Sequence, residues 1–515
     1  MTHVRGELKG GRPRGIVRPG LRVAGRGHHH QDNLNIEMFA RGLSMAPELG
    51  YPCWAHPMGS TSHVAHHNTG MIDRSPQYSG AIAHGTLELF AGAPEASFAD
   101  VSAAPAGFPH RVYRRAVCLA DAPGGNAYLV DILRLAGGKV RTCCFHGPAH
   151  DGFQSNLPFA PAGEALEVGP IGRGLSNNIV GVESATFDGD AWGDWKCLDG
   201  PARFRLTYLG EPGRRYLAAN CAKPDIPPVR FFFAEEEKPD GASQFLSLWQ
   251  PYEGRPFIEK AELLPVDGAP AGEYPPVALR VTLAGGQVDT FLYSWTPQAL
   301  LRAGDLQFRG SFGYWSEKDG RLRALHLVNG ERLCRGRDGV SGVAPAFVAR
   351  VRTANLATNT LTLDAPLPAE LRAPGQLLFL RNGPRRAAYH LAQTRAGGRE
   401  VRLDLNGILF RSKLLGTSDD GRQLVTEISP PLEASGGFPA GYYNGAVVTG
   451  EDLVPRGRVA RVEGNRIHLD GTMSTGDFPD LDGDGRRMVC LYDVGPGDEV
   501  VAYRSVFLRA AGPDG

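Results

Sequence analysis

Three consecutive histidines, His28, His29 and His30, are followed two residues later by Asp32. Imidazole and carboxylate side chains suit two kinds of chemistry, proton transfer near neutral pH and metal binding. In an extended segment alternate side chains face the same way, so His28, His30 and Asp32 would share one side. The run therefore predicts a functional site, and the alternative interpretation is a solvated polyhistidine loop.

A second group of histidines follows at His63, His66 and His67. Six of the 15 histidines lie in these two short segments. A single hairpin or meander is long enough to bring the two segments together. Between them, Leu34–Phe39 alternates apolar and polar residues, which predicts a half-buried strand that holds the first histidine run in place.

The composition predicts an all-β protein. The 515 residues include 67 glycines and 39 prolines, and these punctuate many short runs rich in Val, Leu, Phe and Thr. Lys and Arg (55) balance Asp and Glu (55), so nothing in the overall charge indicates nucleic acid or an acidic membrane surface. There is no apolar run of about twenty residues, so we expect no membrane span. The eight cysteines form no CxxC pair, and buried free thiols are favoured over disulfides.

Three regions follow from the pattern along the chain. Residues 1–21 are basic and rich in glycine, which predicts a flexible leader. Residues 22–338 predict one large antiparallel β-sandwich, and residues 339–515 a smaller β domain. The strands predicted in the sandwich are Leu34–Phe39, Arg111–Leu119, Ala127–Leu135, Lys139–His146, Phe204–Leu209, Phe245–Trp249, Val277–Leu283, Asp289–Ser294 and Leu322–Val328.

The C-terminal region contains a faint internal repeat. Val348–Asp364 resembles Val459–Asp470, and each copy has the pattern of a β-hairpin with alternate polar residues. The repeat predicts a small barrel or a second sheet.

Five motifs occur in a fixed order, and together they resemble a known family. They are GRGHHHQDNLNIEMFARG, ELGY, HHNTGMIDRSPQ, YRRAVCLADAPGGNAYLVDILRLAGG and CCFHG. Their order and spacing are similar to the C-terminal half of the heparinase II/III-like polysaccharide lyases over residues 22–150, with weaker similarity to residue 340. The resemblance implies a β-sandwich that cleaves uronate-containing acidic polysaccharide by β-elimination.

Members of that family carry an α/α toroid before these motifs, and the toroid supplies part of their active site. We therefore expect this chain to be the C-terminal part of a longer enzyme, completed by a toroid domain or by a homo-oligomer. The alternative is a non-catalytic sandwich that binds metal or polysaccharide and needs a separate toroid for activity. The family also implies a periplasmic or secreted protein, although no signal peptide is recognisable at the start.

The resemblance assigns roles to four residues. His28 matches the histidine that faces the substrate as acid, base or carboxylate partner. His30 and His67 match two ligands of a structural metal, and Glu48 stands where the family has the aspartate ligand. Two imidazoles and one carboxylate are an ordinary zinc set. A hydrogen-bonded polar core without metal is the alternative for His30, Glu48 and His67.

Substrate contacts and a second metal are weaker expectations. Arg114 and His146 lie in family-like motifs and are candidates to bind the substrate, although Arg114 could belong to a surface pair and His146 to the core. The family's toroid normally supplies the tyrosine of the active site, and Tyr51 and Tyr113 are the tyrosines within these motifs that could stand in for it. Further along, Asp480, Asp482 and Asp484 have the oxygen spacing of a calcium loop, for which an ordinary Asp/Gly turn is the alternative.

Overall fold

The structure is a computed structural model of the chain. It describes residues 30, 32–50, 63–76, 85–103, 111–169, 178–223, 226–383, 385–430, 441–481 and 483–510, together with the backbone of 2–9 and 12–19. Within these residues the secondary structure consists of β-strands and five short 3₁₀ turns, with no α-helix. The all-β fold class predicted from the sequence is confirmed.

The strands are numbered in chain order. The strands of the first part of the chain are β1 (Thr2–Lys9), β2 (Arg12–Pro19), β3 (Met38–Ala40), β4 (Leu43–Ala46), β5 (Gly70–Ile72), β6 (Gly85–Ala91), β7 (Ala96–Ala103), β8 (Val112–Ala122), β9 (Asn126–Ala136), β10 (Val140–Cys143), β11 (His150–Ser155), β12 (Ala160–Ala165), β13 (Ile179–Phe187), β14 (Ala191–Cys197), β15 (Ala202–Tyr208), β16 (Arg214–Cys221), β17 (Arg230–Glu237), β18 (Ala242–Glu253), β19 (Ile258–Leu263), β20 (Val277–Leu283), β21 (Gln287–Tyr293), β22 (Leu301–Ala303), β23 (Leu306–Lys318), β24 (Arg321–Arg335) and β25 (Asp338–Ser341).

The remaining strands are β26 (Ala346–Asn355), β27 (Thr360–Leu363), β28 (Leu377–Asn382), β29 (Arg385–Arg395), β30 (Glu400–Leu403), β31 (Ile408–Thr417), β32 (Gln423–Thr426), β33 (Val447–Thr449), β34 (Pro455–Glu463), β35 (Arg466–Leu469), β36 (Met488–Tyr492), β37 (Glu499–Tyr503) and β38 (Ser505–Arg509). The 3₁₀ turns are Val64–His66, Pro123–Gly125, Ala369–Leu371, Ala396–Gly398 and Thr475–Asp477.

The chain folds as two units, Met1–Val343 with Ser505–Gly515, and Ala344–Arg504. The predicted boundary at residue 338 is therefore close to the observed one, but the C-terminal end differs from the prediction. Strand β38 returns to the first unit and pairs with β24. Strands β1 and β2 form an antiparallel hairpin in the region predicted to be a flexible leader.

Three large antiparallel sheets build the first unit, beside the two-stranded sheets β1-β2 and β3-β4. Sheet A has the order β12-β13-β16-β17-β10-β5, and sheet B has the order β11-β14-β15-β18-β9-β8-β7-β6. Sheet C has the order β19-β20-β21-β23-β24-β25, with β22 and β38 paired to β23 and β24. Large aromatic side chains join the layers. Trp195 of sheet B packs against Phe232 of sheet A, and Phe98 on the other face of sheet B stacks on Phe312 of sheet C at 4.1 Å. Sheet B is therefore the central layer of a sandwich-type fold.

Most predicted strands occur where the alternation is longest. The predicted strand Ala127–Leu135 lies inside β9, and Val277–Leu283 coincides with β20. The predicted strand Leu34–Phe39 is wrong for most of its length, because only Met38–Ala40 pairs in a sheet. Leu34 has φ of 58°, which ends an extended conformation. Leu34 and Ile36 are still buried, so the apolar alternation marks burial in a loop instead of a strand.

The second unit contains two closed six-stranded barrels. The first barrel has the strand order β26-β27-β30-β29-β28-β37, and the second has β31-β32-β35-β34-β33-β36. Taken in chain order, the strands of both barrels follow the same pairing scheme, and the second barrel is inserted between β30 and β37 of the first. The predicted hairpins of the internal repeat are β26–β27 and β34–β35. The two hairpins lie in different barrels and at different positions of the pairing scheme, because β26–β27 are the first and second strands of one barrel and β34–β35 the fourth and fifth of the other. Where the sequence predicted a small barrel or a second sheet, the structure has two barrels.

Two further expectations concern cysteines and membrane spans. The seven cysteines that the structure describes are all free, and six of them are buried. Among the described residues, no helix has the length and hydrophobicity that a transmembrane span requires.

Candidate functional site

His30, Glu48 and His67 converge at one place in the first unit. Nδ1 of His30 lies 3.1 Å from Oε1 of Glu48, and Nδ1 of His67 lies 3.3 Å from Oε2 of the same carboxylate. One ligand atom from each of the three residues lies within 4.8 Å of the other two. The structure thus brings together the three residues that the sequence predicted as metal ligands.

The loop 67–69 is positioned by side-chain hydrogen bonds to main-chain groups. The main-chain N–H of Asn68 donates to Oδ1 of Asn35 at 2.8 Å, and Nδ2 of Asn68 donates to the oxygen of Ile36 at 3.2 Å. Oδ1 of Asn68 accepts from the main-chain N–H of His146 at 2.8 Å. Asn68 therefore joins the segment after His30, the loop that carries His67 and the residues that follow β10 by hydrogen bonds.

Two residues of β8 hold the same loops from the central sheet. The Tyr113 hydroxyl donates to the oxygen of Asn33 at 2.8 Å. The Arg115 guanidinium donates to the main-chain oxygens of Leu34 and Asn68, while its other nitrogens form a bidentate pair with Asp131 at 2.7 Å. These contacts take the place of a strand ladder for the segment 33–36, since its main-chain oxygens accept from side chains.

The charges of the cluster favour a protonated histidine beside an ionised carboxylate. Burial alone would raise the pKa of the Glu48 carboxyl, but the contacts with His30 and His67 outweigh it and hold that pKa well below its usual range. Burial alone would lower the pKa of His67, but the hydrogen bond and charge of Glu48 raise it above its usual value. In the absence of another cation, Glu48 and His67 therefore form an ion pair.

Three more histidines surround this pair and are held neutral. His63, His66 and His146 are each no more than 1% exposed. Burial lowers the pKa of His63 and of His146 to about 4, and that of His66 to about 3. The nearby positive charge of His67 contributes to the lowering of all three pKa values. His63, His66 and His146 are therefore held neutral around the cationic His67, because burial and a like charge both disfavour their charged form.

An apolar recess opens beside Glu48. Its volume is about 270 Å³, and its lining includes Leu49, Leu198 and Ile226 in addition to Glu48. Leu198 is 44% exposed at this recess. The Glu48 side chain is 30% exposed at this edge, so the cluster can be reached from solvent.

The residues fit a metal ion in three respects. The donor set of two imidazoles and one carboxylate is common for zinc. Nε2 of His67 is buried and has no hydrogen-bond partner among the described residues, which is costly unless a ligand is present. The second imidazole, His30, is 9% exposed and lies with its ring centroid 5.2 Å from that of His67.

The other predicted site residues have different outcomes. His28 and Tyr51 lie outside the described residues. Arg114 does not belong to the cluster, because successive side chains of β8 face opposite sides and Arg114 pairs with Asp100 at 2.7 Å towards sheet C. His146 lies beside the cluster, but it is only 1% exposed and would be covered from a polysaccharide by its surroundings.

Sequence analysis missed the residues that position the cluster. Asn68 and Arg115 each make several of the hydrogen bonds described above and Asn35 makes one, and the motifs NLN, HNT and YRR contain them. The three motifs contain these residues, but the alternation of side chains along a strand does not show whether Arg114 or Arg115 points to the loops.

The candidate calcium loop forms a turn of its own. Oδ2 of Asp480 accepts from the N–H of Gly485, and Oδ1 of Asp484 accepts from the N–H of Arg486, both at 2.8 Å. Asp482 lies outside the described residues, and calcium binding here stays a prediction.

Comparisons with known proteins found similarity at the level of solved structures. No family model matches the chain, and no curated protein matches it. A mutant of heparan sulfate lyase HepC from Pedobacter heparinus is 16% identical over 52% of this chain and 37% of its own length, with a TM-score of 0.31. A heparinase III with methylated lysines is 14% identical over 58% of this chain and 40% of its own, with a TM-score of 0.36. Another heparinase III is 11% identical over 53% of this chain and 36% of its own, with a TM-score of 0.31. The chain thus spans less than half of the length of these proteins.

Proposed function

We propose that this chain is the β-sandwich portion of a lyase that cleaves uronate-containing acidic polysaccharide by β-elimination. The observation that carries the proposal is the convergence of His30, Glu48 and His67, which come from three separate motifs of the predicted family pattern. Such a substrate goes with a periplasmic or secreted location, which is part of the proposal.

The reaction requires three catalytic groups from the protein: a partner for the uronate carboxylate, a base and an acid. A partner must neutralise the uronate carboxylate, which makes the neighbouring C5 proton more acidic. A base then removes that proton, and the electron pair forms the C4–C5 double bond as the C4–O bond breaks. An acid protonates the leaving oxygen. In this proposal His28 serves as acid, base or carboxylate partner, the role that the family resemblance gives to the first histidine of the motif.

Zinc is proposed to be structural. His30, Glu48 and His67 would hold it, and the bound ion would supply a cross-link between the segments that carry them. The Asn68 and Arg115 contacts already fix the loop that carries His67 and the segment after His30, and the ion would add the segment of Glu48 to this arrangement. The chain's own residues remain responsible for the proton transfers.

A second proton-transfer group has to be found elsewhere. Tyr113 is unsuited to the task, since it is only 2% exposed and its hydroxyl donates to the main chain. Burial raises the pKa of Tyr113 further above its usual value, which makes its phenolate still less available. We therefore propose that Tyr51, or a residue of a helical domain or second chain seated near the recess beside Glu48, completes the site.

The alternative function is a non-catalytic sandwich that binds metal or polysaccharide. The apolar recess beside Glu48 favours it, because an exposed apolar lining of this kind is typical of a surface covered by a partner. In this case activity would need a separate toroid domain.

Ultraviolet absorbance of the unsaturated uronate product tests both functions. The purified chain would be mixed with heparan sulfate, another glycosaminoglycan and alginate, with and without an added toroid domain. A rise with the chain alone that is lost in His28→Ala, and kept in the neighbouring His29→Ala, supports the lyase. A rise only with the toroid shows that the toroid completes the site, and it supports the lyase if His28→Ala abolishes the rise and the non-catalytic alternative if His28→Ala keeps it. Absence of product in both mixtures, or full turnover by His28→Ala, would overturn the proposed reaction or the role of His28.

A further inference from the structure

An open groove lies on the outer face of the first barrel of the second unit. Its volume is about 810 Å³, which is within the range of ligand-binding sites. Strands β26, β27, β30 and β29 form its floor. Alternate residues of these strands, such as Leu361, Leu363 and Val401, fill the barrel core, so the groove is lined by the residues between them.

The lining is polar and carries excess positive charge. Thr360 and Thr362 line it from β27, Glu400 and Arg402 from β30, and Arg395 from β29. The lining therefore contains two guanidinium groups, those of Arg395 and Arg402, and one carboxylate, that of Glu400. No ion pair or side-chain hydrogen bond among the described residues involves Arg395 or Arg402, although both are exposed at this face.

The second barrel provides an internal comparison, because its strands pair in the same order. In the first barrel Thr362 is opposite Glu400 and Glu400 is opposite Arg395. The corresponding positions of the second barrel hold Val425, Arg466 and Glu463.

In the second barrel these charges are matched on the surface itself. Glu463 pairs with Arg461 and lies 3.2 Å from Nε2 of His468. Arg466 donates to Oε1 of Gln423 at 3.3 Å. The outer faces of the two barrels share a strand pairing order. They differ because Arg395 and Arg402 of the first barrel have no side-chain partner among the described residues, whereas Arg461 and Arg466 of the second barrel do.

We propose that the groove of the first barrel binds an acidic polysaccharide. Arg395 and Arg402 would bind its sulfate or carboxylate groups, and Thr360 and Thr362 would hydrogen-bond its hydroxyls. The groove has no aromatic side chain in its lining, which disfavours single-stranded nucleic acid, since that ligand relies on base stacking. A neutral glycan is disfavoured because it would leave both guanidinium groups unmatched.

The choice of polymer rests on the proposed function, whereas the groove itself does not depend on catalysis. The site would hold the same polymer that the first unit is proposed to cleave. Binding and cleavage can therefore be measured separately on the full chain.

The experiment is fluorescence anisotropy with a fluorescein-labelled heparan sulfate oligosaccharide, at low and at physiological salt. Arg395→Ser/Arg402→Ser is compared with Arg461→Ser/Arg466→Ser. Both pairs remove two positive charges from equivalent strands, so a general charge effect is the same for both. We expect the first pair to weaken binding about tenfold or more, and the second pair to change it less than about twofold. Equal effects of the two pairs, or no effect of the first, would overturn the proposal.

Two further arms test the class of ligand. Thr360→Val/Thr362→Val keeps the shape and β propensity of the strand and removes two hydroxyls, and we expect it to weaken binding as well. Unchanged affinity in that variant would refute recognition of sugar hydroxyls. A labelled single-stranded DNA that binds as tightly, with the same loss in Arg395→Ser/Arg402→Ser, would replace polysaccharide by nucleic acid as the ligand.

The outcome is independent of the lyase test. If no unsaturated product forms with or without the toroid domain but affinity is lost in Arg395→Ser/Arg402→Ser, the groove is a binding site and the lyase proposal fails. If product forms at the wild-type rate and affinity is unchanged in that variant, the lyase proposal stands and the groove is not a site.

Discussion

Arg115 and Asp131 form a bidentate ion pair in which each side chain is only 1% exposed. The pair lies across β8 and β9 of the central sheet, and the remaining nitrogen of Arg115 donates to the main-chain oxygens of Leu34 and Asn68. The pair thus connects the central sheet to the two loops that carry His30 and His67. A buried pair of this kind is costly to break from one side only, because the partner charge stays buried.

Replacing Arg115 by methionine should therefore destabilise the first unit strongly. We expect a loss of about 3 to 5 kcal/mol in the free energy of unfolding, because Asp131 would be left buried and unpaired. Urea unfolding followed by tryptophan fluorescence measures it, since all six tryptophans lie before residue 316 and report on the first unit. Arg309→Met removes an exposed pair with Glu331 and should cost less than about 1 kcal/mol.

The double variant Arg115→Met/Asp131→Leu separates the ion pair from the loop contacts. It should regain part of the lost stability, because no buried charge remains. Hydrogen exchange in residues 32–36 and 63–69 should stay faster than in the wild type, since the donor to Leu34 and Asn68 is absent. Slow exchange in both segments would show that Arg115 does not hold the loops.

Metal binding by the cluster should depend on the charge and reach of Glu48. We expect about one zinc ion per chain in the wild type and loss of the metal in Glu48→Gln, while Glu48→Asp keeps it. Metal content after dialysis, measured by mass spectrometry, is the readout, and His150→Gln is a control outside the cluster. Retention of zinc by Glu48→Gln would contradict the assigned ligand set.

The same cluster gives the pH dependence of zinc affinity. Protons compete with the ion for His67, whose pKa Glu48 raises above the usual value of 6.5. Affinity should therefore fall with decreasing pH, starting at a higher pH than for an unperturbed imidazole. Titration of zinc at several pH values between about 6 and 8 checks this.

Strands with long alternation, such as β9 and β20, could be predicted because alternation is a local pattern. The candidate metal ligands His30, Glu48 and His67 came from the family resemblance that the five motifs carry, and the structure brings them together.

Tertiary register decided what the sequence could not. Arg114 and Arg115 are adjacent in YRR and lie on opposite faces of β8. The sequence does not show which face is which, and in the structure Arg114 pairs with Asp100 while Arg115 contacts the loops. The segment 33–36 has the alternation of a strand, but its main chain is held by side chains from β8 and from loop 67–69. The pairing order of the two barrels likewise depends on contacts distant in sequence.

A buried polar network within the second unit gives another prediction. Arg385 of the first barrel donates to Oδ1 of Asp493 at 2.8 Å and to the oxygen of Tyr442 at 2.7 Å. Both charged side chains are at most 6% exposed. Asp493→Asn should destabilise the second unit by about 3 kcal/mol, because Arg385 loses its buried counter-charge.

Hydrogen exchange is the measurement for Asp493→Asn, because tryptophan fluorescence does not report on this unit. Exchange should quicken in β28, β29 and β36, whereas unfolding monitored by tryptophan stays unchanged. Asp404→Asn is the matched control, since its contact with His390 is exposed and should contribute less than about 1 kcal/mol. Equal effects of the two variants would contradict a special role for the network.

His326 should make the first unit sensitive to acid. Its side chain is 0% exposed, Nδ1 lies 3.0 Å from the oxygen of Ala96, and Nε2 is buried with no hydrogen-bond partner among the described residues. Burial lowers the pKa of His326 from 6.5 to about 4. Between these values the unfolded chain binds a proton that the folded chain does not, so the contribution of His326 to stability is complete above pH 6.5 and falls as the pH decreases towards 4.

The variant His326→Asn keeps a donor for Ala96 and removes the titration, so the fall should become shallower by up to about 1.4 kcal/mol per pH unit. The slope of stability against pH is measured from urea midpoints followed by tryptophan fluorescence over this range, with His390→Asn as the exposed control. Identical slopes in His326→Asn and wild type would show that His326 does not contribute to the slope.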